Sequence, residues 1–378
     1  MPARTQQYQP SHTCGTPEDE GMRRLVLVAP PWAGLERLKP VARELEERGY
    51  PVRIAGEPDC GGEAYNLSWR RLPEGCPGAW VPHLGMIVDV VACLERSGLW
   101  GEPERAVAGC LLERLREMRK ARAAYKVKGL GVPLRPPPVL VAGELYVRDS
   151  VESVCREAER RAGEGADLIV LGLDRWGRGA EERFLEAVSA CSRRLPVPVL
   201  ADPGRLGLLG PSHSAGAGGV MSVRPGEEGR LPEHVRSEAI VVVLADRSPG
   251  EAVRAAGRLA MPVLDPVIMP PLLGLHRSLE RLSLLAHAWR GPIMAGVNNA
   301  YELIDADPTG TIPMLVSLAA EGGASIVLAT EESPKTYGAT LLARLSADLA
   351  SLALHYGSPP KDYPIRLLHT KHKNIPMP

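Results

Sequence analysis

The chain has 378 residues, 44% of them hydrophobic, and its 45 basic and 45 acidic side chains cancel to a formal net charge of zero at pH 7. That length accommodates a barrel of about 250 residues plus a smaller domain, and the charge balance argues against a polyanionic partner such as nucleic acid. No apolar run reaches the roughly 20 residues of a membrane span, and the polar segment from Met1 to Met22 lacks a signal-peptide core. A cytoplasmic protein acting on a small molecule, with no membrane association, is the expectation.

Residues 1–21 are polar and without periodicity, as in a disordered leader. Residues 22–128 are expected to form a small N-terminal α/β domain. Its elements are a strand at Leu25 to Ala29, a helix at Leu35 to Arg48 ended by Gly49, a strand at Pro51 to Ala55, and helices at Gly85 to Arg96 and Glu102 to Lys126. The Gly-, Pro- and Cys-rich stretch from Gly56 to Pro82 carries no assignable period. Residues 129–138, with Gly129, Gly131, Pro133 and Pro136 to Pro138, read as a stiff linker. The seven cysteines (Cys14, Cys60, Cys76, Cys93, Cys110, Cys155, Cys191) are scattered, with no Cys-x-x-Cys pair, a pattern that predicts reduced thiols rather than a zinc knuckle or a disulfide framework.

Over residues 139–356 short apolar strands alternate with amphipathic helices. The strands are Val139 to Gly143, Leu168 to Gly172, Val197 to Ala201, Gly219 to Val223, Ile240 to Ala245, Pro262 to Leu264, Pro292 to Gly296 and Ser325 to Ala329. Such uniformly apolar strands suit a parallel sheet covered on both faces, and eight βα units predict an α/β fold with a (β/α)₈ TIM barrel; an open doubly wound sheet is the alternative. Residues 357–378 form a tail carrying Lys371, His372 and Lys373 between prolines.

A polar residue at the C-terminal end of an otherwise apolar barrel strand has no packing reason to be there. The strand ends supply Glu144, Asp174, Asp202, Ser222, Asp246 with Arg247, Asp265, Asn298 with Asn299, and Glu331 with Glu332. A ring of carboxylates and amides suits a flat, nitrogen-rich heterocycle, because an amidine-like N–H edge donates two parallel hydrogen bonds to one carboxylate. Three segments stand out: Leu264-Asp265-Pro266-Val267-Ile268-Met269-Pro270, Met294-Ala295-Gly296-Val297-Asn298-Asn299, and Ile304-Asp305-Ala306-Asp307-Pro308-Thr309-Gly310 followed by Thr330-Glu331-Glu332-Ser333-Pro334-Lys335.

At these residues the chain resembles the pterin-binding TIM-barrel superfamily, which contains the dihydropteroate synthases and the methyltetrahydrofolate-corrinoid methyltransferases. It most resembles the archaeal dihydropteroate synthase-related proteins, through Asn299-Ala300-Tyr301-Glu302-Leu303-Ile304-Asp305-Ala306-Asp307 and Thr330-Glu331-Glu332-Ser333. The resemblance implies a pterin of the folate or tetrahydromethanopterin type as substrate or ligand, a transferase activity in its biosynthesis or in one-carbon metabolism, Mg²⁺ if the chemistry is synthase-like, and an acceptor partner if it is methyl transfer; the oligomeric state is left open, a homodimer being one option. It implies Asp202, Ser222 and Asp265 as pterin contacts, with Ser222 standing where the superfamily has Asn. It implies Asn299 as the catalytic residue, since the matching Asn of the methyltransferases hydrogen-bonds near pterin N5. The synthase branch's Ser-Arg-Lys after strand seven, its Arg-x-His after strand eight and its strand-one Asn-x-Thr-x-Asp-Ser-Phe loop are missing. Asp265-Pro266-Val267 and Gly296-Val297-Asn298-Asn299 lie closer to the methyltransferase form. A pterin-binding protein without catalysis is the remaining reading.

Blander roles compete for the same residues. Asp265 could cap a helix and Asp202 could belong to an Asp-Pro-Gly turn; strand-end position favours ligand contact for both, and for Asn298. Asp305 and Asp307 divide between capping the helix that starts at Pro308, holding a metal and organising the Asn299 loop. Glu331 and Glu332 divide between binding a cation, positioning a substrate amine and pairing with Lys335. Glu144, Asp305, Asp307 and Lys335 are expected to support the site.

Overall fold

A computed structural model describes residues 23–29, 35–62, 64–69, 71–120, 123–174, 179–363 and 365. The expected leader and the basic part of the tail, Lys371 to Lys373, lie outside the described residues. The chain divides into two compact units between Val107 and Ala108.

In the first unit β1 (Leu25–Val28), a 3₁₀ turn, α1 (Lys39–Glu47) and β2 (Val52–Ala55) follow the expected β-turn-α start, and β3 (Tyr65–Ser68), β4 (Gly78–Trp80) and α2 (Ile87–Ser97) complete it. The sheet is parallel, in the order β2-β1-β3-β4. Its two later strands come from the stretch without a sequence period. Asn66 is fully buried in β3, where it bonds Asp59 N–H, Asp59 C=O and Pro77 C=O, so a polar residue holds the irregular loops on either side.

The helix α3 (Pro103–Lys120) spans the division and ends earlier than its composition predicts; a β-hairpin, β5 (Ala123–Val127) and β6 (Leu130–Pro133), follows it. The hairpin replaces the last turn of the expected helix and much of the expected linker. Its turn uses Lys128 and Gly129, both at positive φ. Val132 is fully buried in one cluster with Leu140, Leu168, Leu200, Met221, Ile240 and Val263, and Tyr125, Val127 and Leu130 pack against it. Those partners lie at the N-terminal ends of barrel strands, so the hairpin plugs the bottom of the barrel.

The barrel runs β7 (Leu140–Val147), α4 (Val151–Gly163), β8 (Leu168–Leu173), α5 (Ala180–Arg194), β9 (Val199–Asp202), α6 (Leu206–Ser214), β10 (Gly219–Val223), α7 (Glu233–Glu238), β11 (Ile240–Leu244), α8 (Pro249–Ala256), β12 (Met261–Asp265), α9 (Leu275–Ala288), β13 (Met294–Gly296), α10 (Asn298–Glu302), α11 (Pro308–Glu321), β14 (Ile326–Thr330) and α12 (Ala339–Tyr356). The eight parallel strands are ordered β12-β11-β10-β9-β8-β7-β14-β13. A bridge between Leu264 and Ile293, with Leu264 N–H donating to Pro292 C=O at 3.1 Å, joins the two ends. The sheet therefore closes, and the doubly wound alternative is excluded.

Cys155 of α4 and Cys191 of α5 are both fully buried and joined by a disulfide, and a second disulfide joins Cys60 and Cys76. This corrects the expectation of reduced thiols. The pairing is invisible in the spacing because the barrel, rather than local sequence, brings α4 beside α5.

Candidate ligand site at the barrel mouth

Alternation along β7 explains why an acid sits inside an apolar barrel. Leu140 and Ala142 belong to the interior cluster, whereas Val139 and Val141 face the helical shell. Glu144, two residues on, continues the interior row at its upper end. The same row ends in Asp202 on β9, Asp265 on β12 and Thr330 on β14, and register places Thr330 directly beside Glu144.

Asp265 is fixed by its own turn. Pro266 restricts the backbone, Val267 takes a positive φ of 55°, and Val267 N–H donates to Asp265 Oδ1 at 2.7 Å. Arg281 of α9 clamps the turn from outside by donating to the carbonyls of Pro266 and Val267 at 2.8 and 2.9 Å. The carboxyl is 8% exposed and is pushed up to about 7, first by burial and then by the charges of Asp202 and Asp246, against the lowering effect of the Val267 bond and Arg281. Among the described residues no donor bonds its second oxygen.

Glu144 is 5% exposed and accepts from Asn298 Nδ2 at 2.9 Å. Burial, reinforced by Asp202, Glu332 and Asp265 and opposed by Arg161, pushes its carboxyl up to about 8. Buried Asn298 Oδ1 has no hydrogen-bond partner among the described residues, leaving an acceptor beside the neutral acid. Asp202 accepts from Ser222 Oγ at 2.8 Å and from Gly204 N–H at 3.2 Å. Ser222 itself has φ of 63°, a conformation in which Asn is more at ease than Ser. Asn299 donates to Ile268 C=O at 3.0 Å, so it ties the strand-seven loop to the Asp265 turn.

Other expected residues lie apart from this cluster. Asp307 is the N-cap of α11, accepting from Thr309 N–H and Oγ1 at 2.8 and 2.7 Å, and those bonds hold its carboxyl below the usual range. Of its three alternative roles, the cap is the one observed. Asp305 makes no side-chain bond among the described residues. Lys335 donates to Ile304 C=O instead of to Glu331. The Glu331 side chain is 2% exposed and bonds the start of α12 and Arg160. Among the described residues no group of three or more His, Cys, Asp or Glu side chains is placed to hold a metal ion.

Several site residues escaped the sequence reading. Tyr146 follows Glu144 at a two-residue step on β7 and so shares its face, and Arg148 lies just past the end of the strand. Arg148 lies 5.1 Å over the Tyr146 ring and pairs with Asp174 at 2.7 Å and Glu332 at 2.6 Å. A Cβ at Gly172 would stand 2.7 Å from the Tyr146 ring, so the glycine makes room for it. Arg161, 4% exposed, donates to Glu144 C=O from the shell. Tyr301 is fully buried, donates to Thr330 C=O at 2.7 Å and accepts from Thr330 N–H at 2.7 Å, pinning the end of β14. The period-two rule could have found Tyr146.

The raised Glu144 carboxyl gives a stability signature. The folded chain holds this proton more tightly than the unfolded chain, so its contribution is complete below about pH 4.5 and is lost as pH rises through about 8. Urea unfolding is expected to show wild type losing on the order of 3 kcal/mol from this group between pH 5 and 8.5. Glu144→Gln, which cannot ionise, should match wild type near pH 5 and exceed it at pH 8.5. Parallel pH profiles for the two proteins would refute the assignment.

No protein-family model and no curated protein sequence matches the chain. Among solved structures it is similar to dihydropteroate synthases. That of Yersinia pestis is 19% identical with a TM-score of 0.46, over 61% of this chain and 98% of the other. That of Vibrio fischeri ES114 is 17% identical with a TM-score of 0.47, over 62% and 98%. The Xanthomonas albilineans enzyme in complex with 7,8-dihydropteroate is 18% identical with a TM-score of 0.44, over 58% and 98%.

Proposed function

We propose that the barrel mouth binds a flat, N–H-rich heterocycle of the pterin class, folate or tetrahydromethanopterin in type, and that the protein is a transferase acting on it. The reading rests above all on Asp265: a buried carboxyl whose turn aims it across the mouth, with one oxygen left for a donor. Asp202 with Ser222, and Glu144 with Asn298, extend the acceptor surface on the strands around it. The sequence motifs around Asp265 and Asn299 supply the pterin class.

The residues divide the chemistry between them. An amidine-like N–H edge donates to ionised Asp265, while neutral Glu144 and Asn298 Oδ1 offer one donor and one acceptor toward the ring's polar rim. Asn299, held to Ile268, presents its remaining carbonyl oxygen at the loop edge, where the methyltransferase-like motif would place pterin N5. Synthase-type displacement of diphosphate needs basic anchors; Arg148 is paired with Asp174 and Glu332 and Arg281 with backbone carbonyls, while Arg224 and Arg247 come no nearer than 3.9 Å to Asp246. Of the two transferase readings, methyl transfer asks less of these residues; a non-catalytic pterin-binding protein uses the same contacts.

Calorimetric titration with tetrahydrofolate at several pH values tests the reading. An N–H edge selects the ionised form of Asp265, so affinity should rise about tenfold per unit as pH increases toward 7 and level above it. Near pH 6, titrations in buffers of different ionisation heat should show close to one proton released per ligand bound. Absent saturable binding, or binding with no proton release, would sink it. A turnover assay with hydroxymethyl-dihydropterin diphosphate and an arylamine separates synthase from binder.

A further inference from the structure

In (β/α)₈ barrels the loops after strands seven and eight, with a helix N-terminus, commonly form an anion position from backbone N–H groups. Here that position is already taken. Glu331, immediately after β14, accepts from Gly338 N–H at 3.1 Å and Thr340 N–H at 3.0 Å, the first amides of the 18-residue helix α12. Arg160 Nη2 reaches the same carboxylate at 2.5 Å, and its guanidinium lies 4.8 Å over the Tyr337 ring. Burial alone would raise the Glu331 carboxyl. The bonds from Thr340 and Gly338, together with Arg160, outweigh burial and hold it below the usual carboxylate range, so it is a permanent anion. Arg160 also pairs with Glu157 and Glu164, so its charge is shared among three carboxylates.

We propose that Glu331 is an anion supplied by the chain itself, occupying the phosphate position after strand eight, and that it determines specificity by restricting the mouth to ligands without a phosphate at that end. The backbone geometry of an anion site is kept while its vacancy is removed. A ligand phosphate would have to displace a buried carboxylate that already has two amides and a guanidinium. This deepens the reading of the mouth as the ligand site and rests on it, but the anion chemistry is tested separately from heterocycle binding.

The test uses the full chain, with inorganic phosphate and pyrophosphate as probes, followed by thermal unfolding and calorimetry. Wild type should show no saturable binding of either. Glu331→Ala opens the amide pair and Arg160 and should bind pyrophosphate at least roughly tenfold more tightly than wild type, with a rise in Tm. Glu331→Gln still fills the space and should stay insensitive, which distinguishes an opened site from a mere loss of negative charge. If Glu331→Ala does not fold unaided, recovery of the fold by pyrophosphate gives the same result. Saturable pyrophosphate binding by wild type, a folded Ala variant that ignores the anion, or an unfolded one that it does not recover overturns the proposal. Tetrahydrofolate titrated into wild type reports on the mouth itself, so its failure with retained anion gain would remove only the heterocycle reading.

Discussion

Asp265→Asn should weaken tetrahydrofolate binding by about 100-fold or more while leaving the fold intact, because the charged oxygen left free for the ligand's N–H edge is replaced by an N–H₂ that faces another donor. The substitution is chosen for its shape. An asparagine oxygen can still accept from Val267 N–H, and Arg281 still clamps the carbonyls of Pro266 and Val267, so the turn survives without its charge. The pH dependence should vanish with the affinity, since the group pushed up to about 7 is gone. Calorimetry on both proteins at pH 6 and 8 measures the two effects together. An Asn variant that binds within threefold of wild type would mean that Asp265 is only a turn-former.

The second large effect concerns stability. Arg344 of α12 is 6% exposed and joins the end of the barrel to its beginning. It bonds Asp167 at 2.7 Å, Val139 C=O at 3.1 Å and Asp348 at 2.6 Å, while Asp167 also accepts from Val141 N–H at 2.8 Å. Arg344→Met leaves the largely buried Asp167 carboxylate without its cation and should cost about 3–5 kcal/mol, lowering Tm by roughly 5 °C in a chain of this size. Asp167→Asn in the same chain should recover part of that loss, because the stranded charge is then removed. Urea and thermal unfolding of the single and double variants check it. A loss under 1 kcal/mol for Arg344→Met would show that the network contributes nothing net.

The barrel was legible in the sequence because its signal is local. Each strand is an apolar run bounded by turn residues, and all eight expected strands overlap observed ones; β10 has the expected limits. The hairpin was not legible. Ala123 to Lys126 carries on the composition of α3, and only burial of Val132, Tyr125 and Val127 against the barrel floor makes it a strand. The candidate site divides the same way. Strand-end position marked Glu144, Asp202 and Asp265, whereas their partnerships were hidden: Glu144 meets Asn298 across 154 residues, and Arg160 reaches Glu331 across 171. The partners of Glu331 were hidden for the same reason, since the sequence shows an acid after a strand but not the guanidinium and amides that hold it. Asp307, whose cap is made two residues away, was decided by local geometry.

A structure of the protein with bound tetrahydrofolate tests the central claim most directly. The pterin ring should lie in the barrel mouth, its N–H edge within hydrogen-bonding distance of the Asp265 oxygen not bonded by Val267, with Asp202 and Asn298 at its rim and Glu331 still on the amides of Gly338 and Thr340. A ring bound elsewhere, or in the mouth with its N–H edge away from Asp265, would contradict it.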